Sequence, residues 1–221
     1  MPEFPSVEHH YAGEIARKAI HLCSLSIPIV YLFVSRATAL TILIPLTIAF
    51  GCTDLARLYH PPTASLYQKY FGWLLRAHER SEGTKRLNGA TYVLLSACIC
   101  ILLFPKLIVV TAFSILIISD TSAALIGRKF GTKPFLKKSL EGTLAFFLSA
   151  LVVVALAPKA ESLPLEYVIG AVAALVGAVV EASSISIDDN LSIPLSIGVV
   201  MWGLYFLLLP GVNVYALDTI H

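Results

Sequence analysis

Charged residues are scarce in this chain. Lys, Arg, Asp and Glu fill 14% of its 221 positions, where a soluble domain carries about 25%. With 57% hydrophobic residues and a mean hydropathy of +0.81, this deficit excludes a soluble core of such size. The composition reads as a polytopic membrane protein of one domain, residues 1–221. A net charge of +2 gives no reason to expect nucleic acid as a partner. Cysteine offers no chemistry: Cys23, Cys52, Cys98 and Cys100 lie in apolar runs without metal-ligand spacing, so they read as small buried hydrophobes. His9, His10, His60, His78 and His221 show no metal spacing either. A cleavable signal peptide is not expected, because the chain opens on a polar stretch and its first apolar run lacks a small-residue cleavage site. No G-x-x-x-x-G-K-[ST] loop is present. No repeat between halves, which would point to an ion-coupled carrier, is evident.

What is present is a series of apolar runs. They cover residues 19–34, 37–55, 89–104, 107–126, 140–157, 165–182 and 193–209. Several are nearer 16–18 residues than the ~20 that cross a bilayer without strain. The expected fold is an all-α polytopic bundle of about seven transmembrane helices. Residues 56–88 mix aromatic, apolar and basic side chains and read as an amphipathic interfacial segment. With seven crossings, the N-terminal residues 1–18 and the connections 56–88, 127–139 and 183–192 share one side. That side holds thirteen of the sixteen lysines and arginines, leaving Arg36, Lys106 and Lys159 opposite. The positive-inside rule then makes it cytoplasmic, with the N-terminus inside. The same side gathers Glu14, His21, Asp54, Asp120, Glu141, Glu181 and residues 188–190. The rule accounts for cations there, not for acids and an amide, so their co-location points to a site.

The stretch 118–142 is the most unusual. Asp120 lies thirteen residues into its run, roughly 20 Å along a helix rising 1.5 Å per residue. A carboxylate at such depth persists only with a partner. It reads as a Mg²⁺ ligand or a catalytic base, against a structural ion pair. Arg128, Lys129, Lys133, Lys137 and Lys138 follow, with Gly127, Gly131 and Gly142 around them and Ser139 and Glu141 opening the next run. Basic side chains beside a helix N-terminus suit a polyphosphate, against an ordinary basic loop. Arg17 and Lys18 fit phosphate contact, against lipid-headgroup anchoring. Asp54 and Arg57, at i, i+3, fit either a local salt bridge or the same site. Glu181, Asp188, Asp189 and Asn190 supply the hard oxygen ligands that Mg²⁺ uses when it bridges phosphates, against a turn signal.

The ordered set Arg17-Lys18-x-x-His21, Asp54-x-x-Arg57, Asp120 followed by Gly127-Arg128-x-x-Gly131, Lys138-Ser139-x-Glu141-Gly142, and Glu181 followed by Asp188-Asp189-Asn190 resembles the dolichol kinase/phytol kinase family. It is also similar to CTP-dependent diacylglycerol kinases. The resemblance covers about residues 14–200. It implies an integral membrane kinase that moves the γ-phosphoryl group of CTP to a prenyl or lipid alcohol at the cytoplasmic face. It also implies a nucleotide site that includes Arg17, Lys18, Asp120, Gly127 and residues 138–142. Phosphatidate cytidylyltransferases share part of the central pattern but carry a His-Gly-Gly and Asp-Arg-x-Asp signature that is absent here; they are the competing expectation. The resulting assignment makes Asp120, Glu141 and Lys138 catalytic. Arg17, Lys18, Asp54, Arg57, Gly127, Arg128, Lys129, Gly131, Lys137, Ser139, Gly142 and Asn190 are assigned to the nucleotide. Asp120, Glu181, Asp188 and Asp189 are assigned to Mg²⁺. A different-class alternative, an ion-coupled transporter, would use Asp120 and Glu181 to line a pathway.

Overall fold

The computed structural model describes residues 17–71, 87–183 and 187–219. Glu14, the N-terminal residues to 16 and part of the expected interfacial segment, 72–86, lie outside the described residues. Among the described residues the regular structure is helical apart from one two-stranded hairpin. Residues 17–23 form a helical stretch, followed after a turn by α1 (Ser26–Phe33). Then come α2 (Arg36–Tyr59), α3 (Pro61–Phe71), α4 (Gly89–Leu103) and α5 (Lys106–Phe130). The hairpin strands are β1 (Pro134–Phe135) and β2 (Lys138–Ser139). α6 (Leu140–Leu156), α7 (Pro164–Ser183), α8 (Asp189–Leu208) and a 3₁₀ turn at Ala216–Thr219 complete the order.

Helices α2, α5, α7 and α8 are each long and apolar enough to cross a membrane. Helices α4 and α6, with 15 and 17 residues, reach about 23–26 Å at 1.5 Å per residue, short of a hydrocarbon core of ~30 Å. The expected first run at 19–34 is broken. Pro28 has no N–H to return to Ser24, and the chain turns there through Ser24 N–H to His21 O and Leu25 N–H to Leu22 O. The last run begins earlier than expected, at Asp189, because Asp188 caps α8 by accepting from the Asn190 N–H. α5 runs on past Gly127 to Phe130, into what the sequence suggested was loop.

α5 is central: Phe113, Ile115, Leu116 and Ile117 have no exposed surface. It packs against α6 and α8, and α7 packs on both of those. Close approach is built from missing side chains. A Cβ on Gly170 would meet Val154 at 2.5 Å, and one on Gly198 would meet Phe104 at 2.5 Å. α2 is peripheral, with Ile42 and Ile48 turned outward, as a lipid-facing helix requires.

The helices alternate in direction, so the bundle has two polar ends. At one end Arg36 Nη2 donates to Phe104 O and Asp218 Oδ1, and Asp218 Oδ2 accepts from the Lys106 N–H. Lys106, almost wholly buried, donates to Val34 O and lies over Tyr31. The C-terminal turn thereby closes the N-terminus of α5. The opposite end brings together the ends of α2, α5 and α7 with the starts of α4, α6 and α8.

Candidate active site

Two charge clusters, buried or half-buried, occupy that second end. In the first, Lys18 Nζ donates to Asp120 Oδ2 at 2.5 Å, and His21 Nε2 lies 3.6 Å from the same oxygen. Lys18 and His21 are one helical turn apart, so the stretch 17–23 presents both to one point on α5. In the second, Lys138 Nζ donates to Glu181 Oε1 at 2.6 Å and to Asp189 Oδ2 at 3.0 Å. Lys138 thus joins β2 to the end of α7 and the start of α8. The two clusters are close enough for the Lys138 and Asp120 charges to act on each other. Burial pushes the Lys138 ammonium down, but the Asp189 and Glu181 carboxylates outweigh it and raise it above its ordinary value. Glu181 is 3% exposed. Its second oxygen, Oε2, has no hydrogen-bond partner among the described residues.

The hairpin that carries Lys138 is positioned by backbone bonds. Leu140 N–H donates to Lys133 O, and Lys137 N–H donates to Ala182 O at the end of α7. Glu141 braces the same loop: its carboxylate accepts from Thr132 Oγ1 at 2.7 Å and from the Lys133 N–H. It faces that loop rather than either charge cluster. Ser139 caps α6, accepting from the Gly142 N–H.

Gly127, Gly131 and Gly142 share one crowded contact between the end of α5 and the start of α6. A Cβ on Gly142 would lie 3.1 Å from Ala123 O and 3.2 Å from Gly127 Cα; one on Gly131 would lie 2.7 Å from Ser139 Oγ. These glycines allow two helix ends to touch, which brings β2 and Lys138 beside Asp120. Their Cα faces are turned toward protein, unlike those of an open phosphate cradle.

Asp54 and Arg57 form a separate buried knot. Asp54 accepts from Arg57 Nε, Asn88 N–H, Asn88 Nδ2 and Thr91 Oγ1 at 2.7–3.2 Å. Those four donors fill the carboxylate and tie the end of α2 to the start of α4. Arg57 also stacks over Tyr67 of α3 at 5.4 Å. Asn190 is buried too, donating to Asp188 Oδ1 and to Gly89 O. The sequence reading missed Asn88 and Thr91. Asn88 directly before an apolar run is an N-cap signal that could have found the first.

The four expected metal ligands do not converge. Among the described residues, no three His, Cys, Asp or Glu side chains gather closely enough to hold an ion. Lys18 takes Asp120, and Asp188 turns to cap α8. Glu181 and Asp189 do meet, across the Lys138 ammonium. Arg128, Lys129 and Lys137 are exposed, on the outer side of the connection between α5 and α6.

Comparisons with known proteins bear on this arrangement. The chain is 34% identical over 185 residues to an uncharacterized protein of Rickettsia prowazekii, covering 83% of this chain and 90% of that one. It is 34% identical over 140 residues to CTP-dependent diacylglycerol kinase 1 of Saccharomyces cerevisiae, covering 61% and 47%. It is 32% identical over 98 residues to CTP-dependent diacylglycerol kinase 1 of Schizosaccharomyces pombe, covering 43% of each. The matches span a little under half the length of both yeast proteins. No family model and no solved structure matches the chain.

Proposed function

We propose, for a chain that belongs to one family with the uncharacterized Rickettsia protein, the activity of a membrane lipid kinase. It transfers the γ-phosphoryl group of CTP to the hydroxyl of a lipid alcohol at the polar end that holds Lys18 and Lys138. The observation that carries this reading is the Lys138 ammonium held between Glu181 and Asp189, beside the Lys18–Asp120 pair. The similarity to the two yeast kinases supports CTP as donor and favours a diacylglycerol-type acceptor over a prenyl alcohol.

Phosphoryl transfer asks a protein mainly for positioning and charge stabilisation. Lys18 and Lys138 supply two cations, each parked on carboxylates until phosphate oxygens compete for it. Arg17, at the entrance of the same helical stretch, is the third candidate for phosphate contact. Asp120 is the proton acceptor for the lipid hydroxyl. It is held in place by Lys18. Glu181 and Asp189 would hold a divalent ion. Their hard oxygens and the unpartnered Glu181 Oε2 fit Mg²⁺, which commonly takes one or two carboxylates together with substrate phosphates. Such an ion would offset phosphate charge. The glycine contact brings β2, and with it Lys138, to the end of α5. Arg57, Lys69, Arg128 and Lys137 lie at this end, and so many cations favour the cytoplasmic side for it.

The test is purified protein in lipid nanodiscs with Mg²⁺ and CTP labelled on the γ-phosphate. Diacylglycerol, a polyprenol, phytol and phosphatidate are offered separately. Label on diacylglycerol is the expected result, and label on a prenol alone would move the acceptor. CMP transferred to phosphatidate with release of pyrophosphate would replace the kinase by a cytidylyltransferase.

A further inference from the structure

The turn between β1 and β2 is built against local preference. Pro134 pairs with Ser139 and Phe135 with Lys138, leaving Leu136 and Lys137 as a two-residue loop. Leu136 has φ 51°, a left-handed conformation that such loops normally give to Gly, Asn or Asp. Its side chain is 60% exposed. A leucine in a strained position with little internal packing calls for a compensating contact outside the chain.

The surroundings specify what that contact is. The inner side of the hairpin lies on the start of α6 and the end of α7, and Lys137 N–H anchors it to Ala182 O. The tip therefore projects at the level where the spanning helices α5 and α7 end. Ile126 and Phe130, one turn apart at the end of α5, are also exposed, Phe130 at 57%. Lys129 and Lys133 between these apolar groups, and Lys137 directly after them, are exposed, and Lys129 lies 5.2 Å from the Phe130 ring centre. Apolar side chains alternating with cations at a helix end match a headgroup layer that offers hydrocarbon below and negative charge above.

We propose that the segment 126–137 is an anionic-lipid docking surface, with Leu136 and Phe130 inserted beneath the headgroups and Lys129, Lys133 and Lys137 on lipid phosphates. The partner is an acidic phospholipid leaflet. This assigns the exposed lysines of the connection to the membrane and leaves the half-buried Lys138, on the inner strand, to the site. The inference rests on the bundle spanning a bilayer and on no step of phosphoryl transfer, so it stands or falls separately from the kinase reading.

The experiment uses the full chain in nanodiscs. It compares phosphatidylglycerol and phosphatidylcholine analogues that each carry a diazirine near the ester end of one acyl chain. After photolysis, adducts are located by peptide mass spectrometry. Ile42 and Ile48 on the lipid-facing side of α2 serve as controls for either probe. The expected result is adducts at Phe130 and Leu136, at least several-fold more abundant with phosphatidylglycerol. That excess should disappear in a Lys129→Gln, Lys133→Gln, Lys137→Gln variant whose α2 adducts are unchanged. Labelled α2 with no adduct at 130 or 136 from either probe would overturn the proposal. Equal labelling by the two probes would overturn it as well.

Discussion

Replacing Lys138 by methionine separates the two things this side chain does. Its ammonium lies 2.6 Å from Glu181 Oε1 and 3.0 Å from Asp189 Oδ2, and Glu181 is 3% exposed. Removing the cation strands the Glu181 carboxylate in a site that water barely reaches. Breaking a buried pair from one side costs about 3–5 kcal/mol. Asp189 is 25% exposed and Lys138 30%, so solvent screening lowers that range to about 2–4 kcal/mol. Lys138→Met should therefore lower stability by that amount and abolish transfer. Adding Glu181→Gln removes the stranded charge. The double variant should recover at least half of the lost stability, because a buried pair replaced at both ends is often neutral, yet it should remain inactive. The assay is a denaturation midpoint in nanodiscs beside turnover of labelled CTP. A single variant as stable as the parent would refute the reasoning, and so would a double variant no more stable than the single one.

Other outcomes follow from the same geometry. Gly142→Ala puts a Cβ 3.1–3.2 Å from Ala123 O and Gly127 Cα, backbone atoms that cannot swing aside. It should cost about 1–3 kcal/mol, and with Gly127→Ala the loss should be non-additive, as read by denaturation of the two singles and the double. Asp54→Asn replaces an acceptor of four hydrogen bonds with a group that must donate; it should destabilise by about 2–4 kcal/mol while KM for CTP in the surviving folded protein stays near the parent value. Lys138 has its pKa raised above 10.5. The stability from its charge is full below that value and lost only as pH rises through the still higher folded one, so a stability profile from pH 6 to 9 should show no Lys138 titration.

The apolar runs were legible because helices that meet lipid must be continuous and apolar, and each of the seven runs overlaps one of the helices described. Length separated them: α4 and α6 are short, and Pro28 divides the first. The gathering of polar residues at one end was legible too, since alternating runs dictate which connections share a side. Partnership was not. Lys18 meets Asp120 across 102 positions, and nothing local in the sequence pairs them. Gly127, Gly131 and Gly142 looked like a phosphate loop because spacing cannot say what a Cβ would strike. Asp54 and Glu141 carry the right charge for a site, but one is filled by four donors and the other braces residues 132–133. The clasp of Arg36, Lys106 and Asp218 at the far end gave no sign, because its parts lie in three separate connections.

The central claim is that Asp120 and Lys138 serve one phosphoryl transfer at the polar end. It is tested most directly by the fate of doubly labelled CTP, with label on both the γ-phosphate and the cytidine. Purified protein with Mg²⁺ and diacylglycerol should place the γ-label on the lipid and leave the cytidine label in CDP. Asp120→Asn should abolish transfer while the protein still inserts and folds. Cytidine label on lipid, or full transfer by the Asp120→Asn variant, would contradict the account.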